Sequence, residues 1–162
     1  MLRKLFLLFA LCTISSLSAR AQDKAELFGG FSYLRFSSSN LNGWEISGQY
    51  KFVDWLGGVA DFDGHYGSVN GIGTSTYTYL FGPQISLPSS ISPFGHLLVG
   101  GAHNSTRGVG NSSFSMALGG GIDAEMVHGI HWRLIQTDYL MTQFRSRSQN
   151  SFRFSTGILL RF

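Results

Sequence analysis

The charged residues of this chain predict an enclosed set of ion pairs. Most acidic and basic residues after residue 21 recur at alternating positions in segments with the pattern of β-strands. Successive side chains of a strand point to opposite faces, so these charges share one face. On an enclosed face they must pair, because an unpaired buried charge is strongly destabilising. The expected inward-facing residues are Glu26, Glu45, Lys51, Asp61, Asp63, Asp123, Glu125, Arg133, Asp138, Arg153 and Arg161.

Two members of this set, together with a nearby histidine, have the chemistry of a metal site. Asp61, Asp63 and His65 lie on one face of one predicted strand. Carboxylate and imidazole groups suit a divalent metal. Side chains two apart on a strand are spaced too widely to close a site alone, so neighbours such as Glu45 would have to contribute. We favour the simpler interpretation of three polar interior residues, and we predict no cofactor and no metal.

The elements that position these charges are eight predicted strands, closed into an antiparallel up-and-down β-barrel. Apolar and polar residues alternate through each strand, and each is long enough to cross a bilayer, which takes about 9 to 11 residues at a tilt. The predicted strands are 26–36, 41–52, 56–66, 75–87, 93–103, 113–126, 130–142 and 150–162.

The distribution of charge indicates which face is inside. A membrane barrel has an apolar exterior and a polar interior, whereas a soluble barrel such as a lipocalin has the reverse. Nearly all charges lie at the alternating strand positions that carry the polar residues. Too few lie at the other positions to solvate the opposite face of the barrel, so we expect the charges inside. The apolar face is aromatic, and we interpret five of these side chains as anchors at the membrane interfaces: Trp44, Trp55, Trp132, Tyr77 and Tyr79.

Two irregularities are predicted within the strands. Pro83 cannot donate a ladder hydrogen bond, so we expect a bulge or a strand end there. Arg133 and Asp138 have opposite parity, and both face inward only if a bulge lies between them, near Ile135. The facing of the fifth strand stays open between two sets, Phe94, His96 and Leu98 against Leu97, Val99 and Gly101.

Residues 1–21 have the features of a secretory signal peptide. Two cationic residues precede an apolar run from Leu5 to Ile14, and Ala19-Arg20-Ala21 matches a cleavage site. The run is shorter than the roughly 20 residues of a membrane-spanning helix. Cleavage leaves residues 22–162 as one barrel domain without cysteine and with nine basic and nine acidic residues. Disulfides are thereby excluded, and a nucleic-acid partner is not expected.

Three segments carry a resemblance to a known family. They are the opening strand Glu26-Leu27-Phe28-Gly29-Gly30-Phe31-Ser32-Tyr33, the Gly-rich segment from Ala117 to Ile122, and the closing segment from Gly157 to Phe162. In this order they resemble the eight-stranded outer-membrane β-barrel family that is OmpA-like or OmpX-like. The family implies a bacterial outer-membrane location, export through the Sec pathway and both termini in the periplasm. The turns at Val53, Pro88 and Val127 would then be periplasmic, and the loops at Ser37, Gly67, Asn104 and Gln143 extracellular.

The resemblance also implies partners. The barrel-assembly machinery recognises an aromatic C-terminal strand, for which Ile158, Leu160 and Phe162 are the assembly signal. Outer-membrane lipid and periplasmic chaperones are the other expected partners.

Several functions remain open at this point. We expect a structural component of the Gram-negative envelope or a narrow, porin-like passive pore, whose salt-bridged lumen is either a plug or a gated ion path. One alternative is a soluble periplasmic lipocalin-like barrel that binds an apolar ligand.

A weaker alternative is an enzyme that modifies lipid A. His103 and Ser105 are similar to the Ser-His arrangement of outer-membrane lipid A deacylases. A nucleophile needs a base and the base needs an orienting acid, but no acidic residue follows nearby, and Asp123 should lie near the opposite rim. We therefore predict no enzymatic activity.

Overall fold

Eight strands among the described residues form one closed antiparallel barrel, in which each strand pairs with its sequence neighbours and β8 pairs with β1. The computed structural model describes residues 24–36, 39–69, 72–106, 109–144 and 147–162, so the predicted signal peptide lies outside the described residues. The predicted all-β, eight-stranded antiparallel barrel is confirmed. The strands are β1 (Ala25–Phe36), β2 (Ser39–Val53), β3 (Leu56–Val69), β4 (Ile72–Ser86), β5 (Ile91–Thr106), β6 (Val109–Val127), β7 (Ile130–Phe144) and β8 (Arg147–Arg161).

The two ends of the barrel differ in their connections. One end, called here the near end, carries Lys24, Phe162 and the tight turns at 54–55, 87–90 and 128–129. Gly129 has a φ of 81°, a left-handed conformation that glycine adopts without strain. The opposite end is called the far end.

The strands are longer at the far end than the sequence pattern predicted. Segments 67–74 and 104–112 were expected to be loops, yet Gly67 pairs with Thr74 and Asn104 pairs with Asn111. The prediction was wrong because it treated glycine, serine and asparagine as strand terminators. Ladder hydrogen bonds join backbone groups, so polar residues can extend a strand when the partner strand continues beside it. For the same reason β2 begins at Ser39, and β7 and β8 extend into the segment 143–149.

The bulge predicted in β7 is confirmed. Ile135 pairs with Ile122, but Arg133 pairs with Asp123, so Leu134 is an extra residue on β7. The pairing of β7 with β8 shifts between Arg133 and Gln136. An extra residue reverses the parity of the rest of the strand, and both Arg133 and Asp138 therefore point inward.

Neither a bulge nor a strand end, the two irregularities predicted at Pro83, is found in the described ladders. The register of β4 with β5 is the same before and after the proline, and β4 continues to Ser86. Pro83 faces Gly58 of β3, while no pair with β5 forms at Gly82 and Pro83. The missing N–H thus interrupts one ladder without moving its register.

The outside of the barrel is apolar, and the fifth strand follows the same rule. Leu97 and Val99 are exposed, whereas Phe94, His96 and Leu98 are buried inside. The aromatic residues Trp44, Trp55, Trp132, Tyr77 and Tyr79 are all exposed on the outside.

Among the described residues, none forms a helix long and apolar enough to cross a membrane.

Candidate functional site

The interior of the barrel, called here the lumen, contains the charged residues singled out in the sequence. Of that predicted set, Glu125 is exposed at the near end and Arg161 is half-buried. The others are buried inside the barrel: Glu26, Glu45, Lys51, Asp61, Asp63, Asp123, Arg133, Asp138 and Arg153.

Among the described residues, Arg153 is the centre of the largest ion-pair cluster. Its side chain is 0% exposed, and the backbone of β8 places it opposite Asp138. The Nε atom donates to Asp138 Oδ2 at 2.8 Å, and Nη1 and Nη2 donate to the two carboxylate oxygens of Asp61 at 2.9 and 3.0 Å. Nη1 also bonds Asp63, and Glu45 Oε2 lies 3.5 Å from Nε. We call Arg153, Glu45, Asp61, Asp63 and Asp138 the Arg153 cluster.

Two buried histidines extend this cluster. His65 Nδ1 lies 3.0 Å from Asp63 Oδ1, and its Nε2 lies 3.0 Å from Ser32 Oγ. His96 Nε2 lies 2.7 Å from Asp138 Oδ1. The cluster holds more carboxylates than guanidinium groups, and each histidine hydrogen-bonds one of those carboxylates.

A second buried arginine lies closer to the near end. Arg133 donates from Nε and Nη2 to the two carboxylate oxygens of Asp123, at 2.8 and 3.1 Å. Its guanidinium lies 4.4 Å from the ring centroid of Phe28 and 4.2 Å from that of Phe94. Such a stacked, bidentate arrangement exploits the planar guanidinium, which a lysine would not reproduce.

A smaller ionic clamp closes the near end. Glu26 Oε1 lies 2.6 Å from Lys51 Nζ and accepts a hydrogen bond from Arg161 Nε at 2.7 Å. These residues belong to β1, β2 and β8, so the clamp joins the strands on both sides of β1. Glu125 lines the neighbouring surface pocket, of about 330 Å³, and is in no ion pair found among the described residues.

Sequence reasoning missed an apolar cluster within the lumen. It borders the Arg153 cluster, since Leu34 is the register partner of Arg153 and Leu80 that of Asp61. The sequence contained a signal for this cluster, because these apolar residues occupy strand positions whose neighbours on the same face are mostly polar. The members of this cluster are Leu34, Leu41, Val59, Leu80, Leu98, Ala117 and Leu140.

The possible metal ligands are engaged with protein groups. Asp61 and Asp63 bond Arg153, and His65 bonds Asp63 and Ser32. No group of three potential ligands with metal-binding geometry is found in the described ranges.

The serine that pairs with His103 is not the one suggested by the sequence. His103 Nδ1 lies 2.9 Å from the hydroxyl of Ser112, its register partner on β6, and this pair is exposed at the far end. Ser105 is paired with Gly110 instead. None of the ion pairs among the described residues involves His103, so an orienting carboxylate is missing from that part of the chain.

The exterior and the lumen together define a class of protein fold: an eight-stranded up-and-down barrel that is apolar outside and charged inside. This is the architecture of the eight-stranded outer-membrane barrels.

Three solved barrels are similar to the chain over most of its length. Neisserial surface protein A matches 85% of this chain and 96% of its own, with 12% identity and a TM-score of 0.62. Ail, the attachment invasion locus protein of Yersinia pestis, matches 86% and 97%, with 18% identity and a TM-score of 0.54. The N-terminal β-barrel domain of Pseudomonas aeruginosa OprF matches 86% and 98%, with 11% identity and a TM-score of 0.56. At these identities the similarity establishes the fold.

No protein-family model matches the chain, and no curated protein matches it.

Proposed function

We propose that this protein is an integral barrel of the bacterial outer membrane, with a structural role in the Gram-negative envelope and a lumen closed to ions. The carrying observation is the filled interior, where the Arg153 cluster lies against the apolar cluster. An ion crossing the lumen would have to break the ion pairs of the first and lose its hydration in the second. This arrangement supports a plug over a narrow passive pore.

The exterior supports the membrane location. Large apolar side chains are exposed around the barrel, including Phe31, Ile46, Phe81 and Leu118. In water this surface would be an aggregation liability, whereas in lipid it is the expected one. A lipocalin-like protein would need the opposite arrangement, with an apolar cavity inside and charges outside.

The aromatic residues support two interfacial belts. Trp55 lies in a near-end turn, and Trp132 is the third residue of β7 at that end. Tyr66 and Tyr77 share a hydrogen bond of 2.9 Å between their hydroxyls in the far half. Trp44 lies against Gly64, where any Cβ would approach its ring within 2.9 Å. Amphipathic rings at both ends suit the two headgroup regions.

The remaining assignments belong to the same proposal. Residues 1–21 direct export through the Sec pathway, and the periplasm lies at the near end. Lipid surrounds the barrel, chaperones escort the unfolded chain, and the assembly machinery reads Ile158, Leu160 and Phe162. Enzymatic activity is not part of the proposal, because the His103–Ser112 pair lacks an acid in the described part of the chain.

Gel mobility of the fractionated envelope tests the membrane assignment. The folded barrel should be found in the outer-membrane fraction, resist SDS when cold and shift in mobility after boiling. A soluble periplasmic protein without a heat-dependent shift would overturn the proposal and favour an apolar ligand inside the barrel.

Conductance in planar bilayers tests whether the lumen is closed. We expect no channel activity from the wild-type protein or from the variants Arg133→Ala and Arg153→Ala, because the apolar cluster remains in place. Ion conduction that rises in these variants would show that the ionic network gates a pore, and would refute the closed lumen.

A further inference from the structure

Four buried side chains form a continuous chain of hydrogen bonds through the lumen. His65 Nε2 lies 3.0 Å from Ser32 Oγ, and Ser32 Oγ lies 3.0 Å from Ser155 Oγ. Ser155 Oγ bonds Glu45 Oε2. The four residues lie on β3, β1, β8 and β2, and each is at most 3% exposed. His65 and Glu45 are the titratable residues at the two ends of this hydrogen-bond chain. They are therefore connected through two hydroxyl groups that are shielded from water.

The number of hydrogens needed by this hydrogen-bond chain determines how many protons His65 Nε2 and Glu45 carry between them. Three links join the four side chains, and each link needs one hydrogen. The hydroxyl groups of Ser32 and Ser155 supply two of them. The third must be the Nε2–H of His65 or a carboxyl hydrogen of Glu45. We propose that Glu45 and His65 share one proton through Ser32 and Ser155, so that these four residues form a proton-relay site within the lumen.

The two forms of the relay differ by the direction of every hydrogen bond. With Glu45 ionised, Ser155 donates to Glu45, Ser32 donates to Ser155, and His65 donates from Nε2 to Ser32. With Glu45 protonated, Glu45 donates to Ser155, Ser155 to Ser32, and Ser32 to the unprotonated Nε2. In both forms His65 Nδ1 keeps its hydrogen for Asp63.

Conversion between the forms moves one proton and no electrons. The Nε2–H bond of His65 breaks as Ser32 Oγ gains that hydrogen, Ser32 passes its own hydrogen to Ser155, and Ser155 passes its own to Glu45 Oε2. An imidazolium and a carboxylate become a neutral imidazole and a carboxylic acid. The proton thus shifts from His65 on β3 to Glu45 on the neighbouring strand β2, while the net charge of the site stays the same.

Adding or removing a proton leaves one hydrogen-bonding group of this hydrogen-bond chain unsatisfied. A second proton gives two donors at the ends, so one hydroxyl hydrogen has no acceptor within the chain. Removal of the shared proton leaves one link without a hydrogen, so that two lone pairs face each other, such as those of His65 Nε2 and Ser32 Oγ. Each defect is costly in a buried site, where an unsatisfied polar group loses its solvation. The singly protonated form satisfies all three links.

The charged groups around the relay come from several strands. Asp61 and Asp63 of β3 and Asp138 of β7 are acidic, and Arg153 of β8 is the cation closest to Glu45. His96 of β5 bonds Asp138 Oδ1, whereas Gln136 and Arg153 bond Asp138 Oδ2. This acidic excess around one guanidinium favours retention of a proton within the cluster.

The variant Glu45→Gln tests the direction of the hydrogen bonds in the relay, because its amide is a permanent donor toward Ser155. Gln136 Nε2 donates to Glu45 Oε1 at 2.9 Å, which directs the amide oxygen of the variant toward Gln136 and its NH₂ toward Ser155. The amide then supplies the third hydrogen permanently. His65 should become a neutral ring with its hydrogen on Nδ1.

Ring-nitrogen NMR and infrared spectroscopy of the folded barrel in nanodiscs provide the test. At neutral pH, the fraction of His65 protonated at Nε2 and the fraction of Glu45 protonated should sum to one in the wild-type protein. A sum near zero or near two would overturn the proposal, and this measurement requires no substitution.

A double-mutant cycle distinguishes the hydroxyl route from direct electrostatics. Glu45→Gln should lower the ratio of Nε2-protonated to Nε2-unprotonated His65 by at least about tenfold. In a Ser155→Ala background the same change should alter the ratio clearly less, because only the direct charge interaction between the two residues then remains. An undiminished effect in that background would show direct coupling and refute the relay.

Ser115→Ala is the matched control. Ser115 is a buried serine whose hydroxyl bonds that of Thr142 at 3.2 Å, and neither residue titrates. This variant should leave the His65 signals as they are in the wild type. A response equal to that of Ser155→Ala would mean that the loss of any lumen hydroxyl perturbs His65, and would also refute the relay.

Discussion

Arg153 and Asp138 lie directly opposite each other in the register of β7 and β8, with Arg153 Nε donating to Asp138 Oδ2 at 2.8 Å. This contact depends on the extra residue at Leu134, which reverses the parity of β7 after Arg133. Without the bulge, Arg133 and Asp138 would point to opposite faces. One local irregularity of the backbone therefore allows Arg133 and Arg153, the two arginines found buried among the described residues, both to point into the lumen.

Removal of the Arg153 side chain should strongly destabilise the barrel. Arg153→Ala leaves the carboxylates of Glu45, Asp61, Asp63 and Asp138 buried without their shared cation. Breaking a buried ion pair by removing one partner typically costs about 3–5 kcal/mol. Urea unfolding in lipid vesicles at neutral pH should show a loss of this size.

Arg35→Ala is the matched control for that measurement, because Arg35 is exposed on β1. It should unfold at nearly the wild-type urea concentration. Equal midpoints for wild type, Arg35→Ala and Arg153→Ala would mean that the Arg153 cluster contributes little to the stability of the barrel.

The apolar cluster should be as sensitive to truncation as the core of a soluble protein. Leu98 is 0% exposed within it, whereas its neighbour Leu97 is 45% exposed on the outside. Leu98→Ala should cost about 2–5 kcal/mol, because a cavity remains where the side chain was. Leu97→Ala should cost clearly less, since lipid can fill the space. Urea midpoints of the two variants provide the comparison, and a larger loss at Leu97 would contradict the assigned facing of β5.

Much of this architecture could be predicted from residue types alone. A side-chain period of two fixes the face of each residue once one strand is oriented, which is why Arg133 and Asp138 required a bulge between them. The far-end extensions could not be read in this way. Gly67 and Asn104 have weak strand preference, and their pairing depends on partner strands that continue beside them.

The contacts within the lumen were less accessible to sequence reasoning. Periodicity assigns Ser32, Glu45, His65 and Ser155 to the interior but gives no distance between β1, β2, β3 and β8. Those distances depend on the register of each strand pair and on the stagger accumulated around the closed barrel. Leu34 and Leu80 illustrate the same limit, because their parity was clear while their membership of one cluster was not.

The near-end clamp should stabilise the closure between β1 and β8. Glu26→Ala removes the carboxylate shared by Lys51 and Arg161, leaving two cations close together at the end of the barrel. We expect a loss of about 3–5 kcal/mol, the size typical of a broken buried ion pair, measured as a lower urea midpoint. Glu125→Ala is the control, because Glu125 is exposed nearby. Similar losses in the two variants would assign the effect to overall charge at this end rather than to the clamp.

A substitution at Phe162 should distinguish an effect on assembly in the cell from an effect on the stability of the folded barrel. Phe162 is 46% exposed, and it is joined to Ala25 by backbone hydrogen bonds of 2.9 and 3.3 Å, which an alanine would keep. Phe162→Ala should therefore refold from urea into detergent nearly as well as the wild type, as expected for a surface substitution. In cells its level in the outer membrane should fall severalfold, if the assembly machinery reads this side chain. Phe154→Ala, on the same outward face of β8, should leave both measurements close to wild type. A Phe162→Ala variant that reaches wild-type levels in the outer membrane would remove Phe162 from the assembly signal, because the machinery would then be recognising the strand without its last aromatic ring.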